Sequence, residues 1–192
     1  MRRAVVIAGL ALVALAVVWG ALQLSKPAWY LRLAYPLAHT DAIRAAAAKN
    51  RLDPALVAAV IYEESRFRDD VSSHQGAVGL MQVLPSTALE IARKTGGTAF
   101  MASDLMDPDV NILYGCYYLR QLLDQYGGSK VAAIAAYNAG QGNVDAWLSR
   151  SGGTLKIGDI PFSETRQYVR DVLAVKKLYR RAYGDRLGPA TQ

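Results

Sequence analysis

The sequence predicts an all-α protein, a single helical domain preceded by one apolar helix. Three observations predict it. Apolar residues recur at the helical period in nearly every segment after Tyr35, two Asp-Pro pairs stand where helices should begin, and no run of alternating β-branched residues occurs. A small hairpin between Ser151 and Ile160 is the most β-structure the sequence suggests.

At the N-terminus, Arg2 and Arg3 precede an apolar stretch from Ala4 to Leu24 that only Gln23 interrupts. At a rise of about 1.5 Å per residue, that length spans a hydrocarbon core of about 30 Å. The two arginines favour a cytoplasmic N-terminus, which places everything beyond Leu24 outside. A cleaved signal peptide is the rival reading, but its apolar region is normally shorter, and Trp19-Gly20-Ala21 is a poor cleavage site. Under either reading the rest of the chain is exported. The sequence therefore divides into residues 1–27 (cytoplasmic end, anchor and start of a link), a domain over 28–184 and a tail over 185–192. Trp29, Tyr30 and Tyr35 are placed to sit at headgroup level, and Tyr35-Pro36 marks the start of compact structure.

Within the domain, Thr40 or Asp41 is expected to cap a helix through Lys49. Asp53-Pro54 pairs a capping side chain with proline at the first helical position and opens a helix to about Phe67. Pro85 opens another, ending at Gly96-Gly97. Asp107-Pro108 precedes a longer one that Gly127-Gly128 stops. Ser129 caps the next, a short piece surrounds Val144 to Leu148, and the last runs from near Ser163 to about Tyr183.

Composition narrows the function classes. A net charge of +6 and a pI of about 9.5 suit an anionic partner. The basic residues are scattered rather than interleaved with aromatics, which disfavours nucleic acid. Cys116 is the sole cysteine, so no intramolecular disulfide forms, and His39 and His74 match no metal-ligand spacing. No metal and no cofactor are expected.

One carboxylate is out of place. Leu56, Val57, Val60 and Ile61 form an apolar stripe on the Asp53 helix, and Glu64 falls roughly 10° from its middle while Glu63 lies about 90° away. Glu63 is therefore expected at the solvent edge and Glu64 facing the core or a cleft. A carboxylate there resists ionisation, which is what a general acid needs near neutral pH. A buried Glu paired with Arg, or one turned out to water at a helix end, fits the same position.

Four stretches in order settle between these readings by resemblance: "IYEESRF" around Glu64, "GAVGLMQVLPSTA" from Gly76, "AAYNAGQGNV" from Ala135 and "IPFSETRQYV" from Ile160. They resemble the lytic transglycosylases of the SLT type, in the lysozyme-like superfamily, and "DPDVNILYG" from Asp107 fits that family's middle helix. The resemblance covers about Tyr35 to Tyr183. It implies that Glu64 is the single acid/base, that Ser73 lies near the reacting sugar and that Gln82 lines the saccharide groove. It places Tyr137 beside the catalytic carboxyl with Asn138 as its neighbour, Glu164 at the far side of the cleft, and Tyr168 after it. Leu84 stands where many members have Met, and Gln141 where proline is frequent.

The bland readings coexist: a loop-to-helix turn at Leu80-Met81, a helix stop at Asn138-Gly140, and an N-cap at Ser163 with Glu164 in the first turn. The resemblance implies cleavage of peptidoglycan between N-acetylmuramic acid and N-acetylglucosamine to a 1,6-anhydro-muramyl end. It implies no cofactor, and the N-terminal apolar stretch adds the expectation of an extracytoplasmic domain fixed to the cell membrane through residues 4–24. Two rivals remain: a hydrolytic lysozyme of the goose type, and a non-catalytic wall-binding or assembly protein.

Overall fold

The computed structural model describes residues 2–97 and 99–189; within the first helix, the side chains of residues 2, 4–6, 8, 23 and 24 lie outside the description. Nine α-helices, α1 to α9, and two 3₁₀ turns make up the described structure. Among the described residues no strand forms, only the isolated antiparallel bridges Ser72–Val78 and Val78–Val83. The hairpin expected between Ser151 and Ile160 is instead an irregular stretch with a 3₁₀ turn at Ile157–Asp159. Asp159 closes that turn by accepting the Lys156 backbone N–H at 3.0 Å, so the segment folds on itself without a partner strand.

Helix α1 (Arg2–Ser25) carries described apolar side chains that are mostly exposed, Leu10, Val13 and Trp19 among them. Among the described residues no helix is long and apolar enough to cross a membrane, and the span expected over 4–24 falls in part outside them. Helix α2 (Ala28–Ala34) occupies what reads in the sequence as the end of a link. Seven residues are too few to show a period, and tertiary contacts hold them. Leu31 is buried, and Arg32 Nε donates to the Ala182 carbonyl at 2.8 Å. Tyr183 and Tyr179 hydroxyls donate to the Tyr35 and Pro36 carbonyls at 2.9 and 2.7 Å.

Helix α3 (Thr40–Lys49) begins one residue earlier than a Thr40 or Asp41 cap requires: His39 is the N-cap, in left-handed conformation (φ 52°), with no side-chain cap. Asp41 instead lies in the first turn, where its charge meets the helix dipole. Helix α4 (Pro54–Ser65) starts as read, with Asp53 Oδ1 accepting the Ala55 N–H at 2.9 Å. Helices α5 (Pro85–Thr95), α6 (Pro108–Gln125), α7 (Lys130–Ala139) and α8 (Gln141–Arg150) follow, with side-chain caps from Asp107 on α6 and Ser129 on α7. Helix α9 (Ser163–Leu187) continues through a kink at Tyr183 to a buried Leu187. Ser163 is its first helical residue rather than its cap, and the N-cap Phe162 offers no capping side chain.

Helix α4 is the centre of the domain. Every residue from Pro54 to Ile61 is buried, and α4 lies chiefly against α9, with α3 beside it; α6 packs on α3 and α7, and α7 in turn on α9 and α8. A helix apolar on all sides needs neighbours on all sides. Its N-terminus is pinned to α9 by charge: Lys176 Nζ meets Asp53 Oδ2 at 2.9 Å and Arg180 meets Oδ1, with the Asp53 side chain 6% exposed. Burial alone would raise the Asp53 pKa. The Lys176 hydrogen bond, the Ala55 N–H and the two cations outweigh it and hold the carboxyl below its ordinary value.

An Asp53→Asn variant should lose about 2–4 kcal/mol at neutral pH, because two cations lose their buried partner. The folded pKa is depressed, so this stabilisation exists above the unfolded value and fades as pH falls through the folded one. Urea unfolding of both proteins should show the gap at about pH 7 narrowing below about pH 4; a gap constant with pH would count against the ion-pair account.

Candidate active site

Glu64 occupies the last turn of α4. The helix ends because Arg66 and Phe67 both turn left-handed (φ 54° and 60°), which sends the chain out before a further turn can form. Burial is the main influence on Glu64 and raises its pKa to about 7; a hydrogen bond from Tyr168 works against this, and the neighbouring charge of Glu63 adds to it. The Tyr168 hydroxyl, from α9, donates to Glu64 Oε1 at 2.5 Å. Burial, then the charge of Glu64, pushes the Tyr168 hydroxyl far up, so it remains a neutral donor. A carboxyl that exchanges its proton near neutral pH, gripped by one phenol, can give a proton and take one back.

Glu63 is not at the solvent edge. Its side chain is 9% exposed and pairs with Arg66. The stripe argument failed because α4 has no solvent face over most of its length: Ala58 and Ala59 let neighbours close over the side opposite the large residues.

The wall of the site is built around the backbone of one residue, Met81, which is held at both its N–H and its carbonyl. Its N–H donates to Asn111 Oδ1 at 2.8 Å, and its carbonyl accepts from the Tyr137 hydroxyl at 2.8 Å. Asn111, fully buried on α6, also donates through Nδ2 to the Val78 and Leu105 carbonyls at 2.8 and 2.9 Å. A Cβ on Gly79 would strike the Asn111 side-chain amide, and one on Gly115 would meet Met81 Sδ at 2.5 Å. Both glycines are therefore required for α6 to approach the "GLMQ" loop. Gln82 follows in left-handed conformation (φ 46°) and braces the loop from within, its Nε2 donating to the Val71 and Gly79 carbonyls at 3.0 and 2.8 Å.

The structure gathers the expected residues into two groups, Gln82, Tyr137 and Asn138 at one cavity and Glu64 bonded to Tyr168, while Ser73 and Glu164 belong to neither. Gln82, Tyr137 and Asn138 line one cavity of about 240 Å³ with Gln75, Leu84, Thr87 and Tyr118. Tyr137 feels the Glu64 charge but spends its hydroxyl on Met81; the phenol bonded to the carboxyl is Tyr168. Asn138 Oδ1 accepts from Thr165 Oγ1 at 2.8 Å, tying the end of α7 to the start of α9. Ser73 is exposed in the loop after α4, its Oγ accepting the Ala77 N–H at 3.0 Å, a turn brace rather than a contact of Glu64. Glu164 is exposed in the first turn of α9.

Sequence reasoning missed Asn111 and the Glu63–Arg66 pair. Asn111 lay within the quoted "DPDVNILYG" stretch, and a polar amide on the core face of an otherwise apolar helix was the signal available. Cys116 is buried and its thiol pKa raised, so it has no thiolate character. Among the described residues no group of three or more His, Cys, Asp or Glu is placed to hold a metal.

A family model for the transglycosylase SLT domain matches residues 41–159. The chain is similar to the soluble lytic murein transglycosylase of Escherichia coli strain K12, 35% identical over 162 residues, covering 82% of this chain and 25% of that protein. It is 34% identical over 164 residues to a membrane-bound lytic murein transglycosylase C of Cronobacter sakazakii, covering 72% of this chain and 45% of that one. Among solved structures it resembles the 70 kDa soluble lytic transglycosylase of E. coli (TM-score 0.76, 35% identity, 82% of this chain and 26% of that one). It also resembles an inactive glutamate-to-glutamine mutant of the lytic transglycosylase Slt from Pseudomonas aeruginosa (TM-score 0.75, 37% identity, 85% and 27%). The chain spans about a quarter of the length of these soluble relatives.

The raised Glu64 pKa carries a stability consequence. Its stabilising contribution is full below the unfolded value of about 4.3 and is lost as pH rises through about 7. The loss should be on the order of 3 kcal/mol. Glu64→Gln should therefore be more stable than the parent protein at about pH 8, with the advantage shrinking toward about pH 5, in denaturant titrations. Equal stability at both pH values would mean Glu64 is not desolvated.

Proposed function

The chain belongs to the transglycosylase SLT domain family, and from that premise we propose that it is a peptidoglycan lytic transglycosylase with Glu64 as its single acid/base. The observation that carries the reading is Glu64 itself: a buried carboxyl with a pKa near 7, bonded to a neutral phenol. The charge of Glu64 reaches Tyr137, which lines the polar cavity with Gln82 and Asn138.

Most glycosidases need two carboxylates flanking the bond. Here Glu164 is exposed at the head of α9, and Glu63 is committed to Arg66. A one-carboxylate route suits that arrangement. Protonated Glu64 gives its proton to the glycosidic oxygen between N-acetylmuramic acid and N-acetylglucosamine. The muramic acid's acetamido oxygen supports the developing positive charge at C1. Glu64, now ionised, takes the proton of that sugar's 6-hydroxyl as its oxygen closes on C1. The bond broken is C1–O4 and the bond formed is C1–O6; the proton returns to Glu64, and no water is consumed. Tyr168 orients the carboxyl through both steps and stabilises its ionised form. Gln82, Tyr137, Asn138, Ser73 and Glu164 are the proposed saccharide contacts or their supports.

Residues 4–24 are proposed to anchor the domain on the outer side of the cell membrane. Their apolar sequence after Arg2-Arg3, interrupted only by Gln23, supports this, as does the membrane-bound relative.

Purified peptidoglycan digested with the full-length protein and with Glu64→Gln, read by mass spectrometry, tests the chemistry. Anhydro-muropeptides from the parent alone are expected. Reducing-end products would make the protein a hydrolase, and an active Glu64→Gln would remove Glu64 from the mechanism. In the same preparation the protein should resist extraction from membranes by alkaline washing; its release would remove the anchor.

A further inference from the structure

Glu63 has no part in the proposed reaction, yet it adjoins the acid/base, and its side chain is little exposed although its partner Arg66 is half exposed. Arg66 holds it with both arms, Nη1 donating to Oε1 at 3.3 Å and Nη2 to Oε2 at 3.1 Å. The Arg66 guanidinium lies 4.0 Å from the centroid of the Tyr62 ring. That ring packs on Tyr35 and Tyr179, at centroid distances of 5.1 and 6.1 Å, and Tyr179 is fully buried with its hydroxyl bound to Pro36. The pair therefore rests on a rigid aromatic shelf shared by α4, α9 and the segment after α2. Arg66 is half exposed, so it is the bidentate bond and the Tyr62 ring contact, not burial, that fix the pair.

Two neighbouring carboxyls in one protected region do not ionise independently. Their partners differ in kind. Glu63 has a guanidinium, which favours its charged form; Glu64 has a phenol, which carries no charge. Glu63 is thus the carboxyl that ionises first, and its charge then opposes ionisation at Glu64. The other groups facing the two do not reverse this. From α9 come Tyr168 and Asp171, the latter adding negative charge beside Glu63; from α7 comes Tyr137, and from the segment after α2, Tyr35. The three tyrosines all have raised pKa values and stay neutral in the working range.

We propose that Glu63, fixed by Arg66 over Tyr62, is a positioning residue whose charge keeps the proton on Glu64. The inference rests on the proposed function only in naming Glu64 as the acid.

The test is the carbon-13 NMR titration of the Glu64 carboxyl in the full-length protein in detergent micelles. Glu63→Gln should move that titration about half a unit to one unit lower, since the opposing charge is gone and Arg66 is left uncompensated. Glu63→Asp, which keeps the charge, should stay close to the parent. Glu63→Gln with Arg66→Gln should fall between the parent and the single Gln variant. An unmoved titration in Glu63→Gln would overturn the proposal, whatever its effect on Tm, as would a Glu63→Asp value as low as that of Glu63→Gln. Should Glu63→Gln fail to fold, the double variant decides, and a parent-like titration there overturns the proposal. The readout needs no turnover. A protein that titrates as expected but makes no anhydro products would count against the proposed function and leave this inference standing.

Discussion

The burial of α4 on all sides is the constraint from which the rest of the structure follows. A helix with no solvent face must be surrounded, and α3, α9 and the shell behind them are arranged to do that. Asp53 at one end of the helix and Glu64 at the other are treated in opposite ways by the fold. Asp53 meets Lys176 and Arg180 and is held in its charged form. Glu64 is desolvated, which raises its pKa to about 7 against the Tyr168 hydrogen bond that favours its ionised form. Both partners come from α9, so one helix pair sets a structural anion and a chemical acid a few turns apart. Environment alone assigns these roles to two ordinary carboxyls.

The second organising feature is the Met81 backbone, which α6 and α7 hold at its N–H and its carbonyl through Asn111 and Tyr137. This clamp places Gln82 and the cavity wall without any regular sheet. It also accounts for residue types that look like saccharide contacts in the sequence yet serve first as braces. Tyr137 binds a carbonyl, Gln82 binds two, and Ser73 closes a turn. A groove for a flexible polymer needs walls that keep their shape, and side chains already bonded to the backbone lose little further freedom when a sugar arrives.

Much of this was legible in the sequence. Asp53-Pro54, Asp107-Pro108 and Ser129 marked three helix starts because a cap and a proline act locally. The inward aim of Glu64 followed from its place in the apolar stripe. What escaped depends on tertiary context. His39 displaced the expected cap on α3 by adopting a left-handed backbone, which no side-chain rule signals. Helix α2 and the turn after it are too short for a period and are held by the Ala182 carbonyl, Tyr179 and Tyr183, about 150 residues away in the chain. Glu63 was misplaced because Ala58 and Ala59 read as neutral, whereas in the fold their small size admits close neighbours. The choice of Tyr168 over Tyr137 as the carboxyl's donor required the α4–α9 pairing, which only the folded chain shows.

The central claim is that Glu64 stays protonated near neutral pH because it is desolvated. Infrared difference spectroscopy between the full-length protein and Glu64→Gln, taken in steps from about pH 5 to about pH 9, reads that proton directly. The account predicts a protonated-carboxyl band unique to the parent that gives way to a carboxylate band as pH rises through about 7. A carboxylate band already complete at about pH 5 would contradict it and leave the site without its acid.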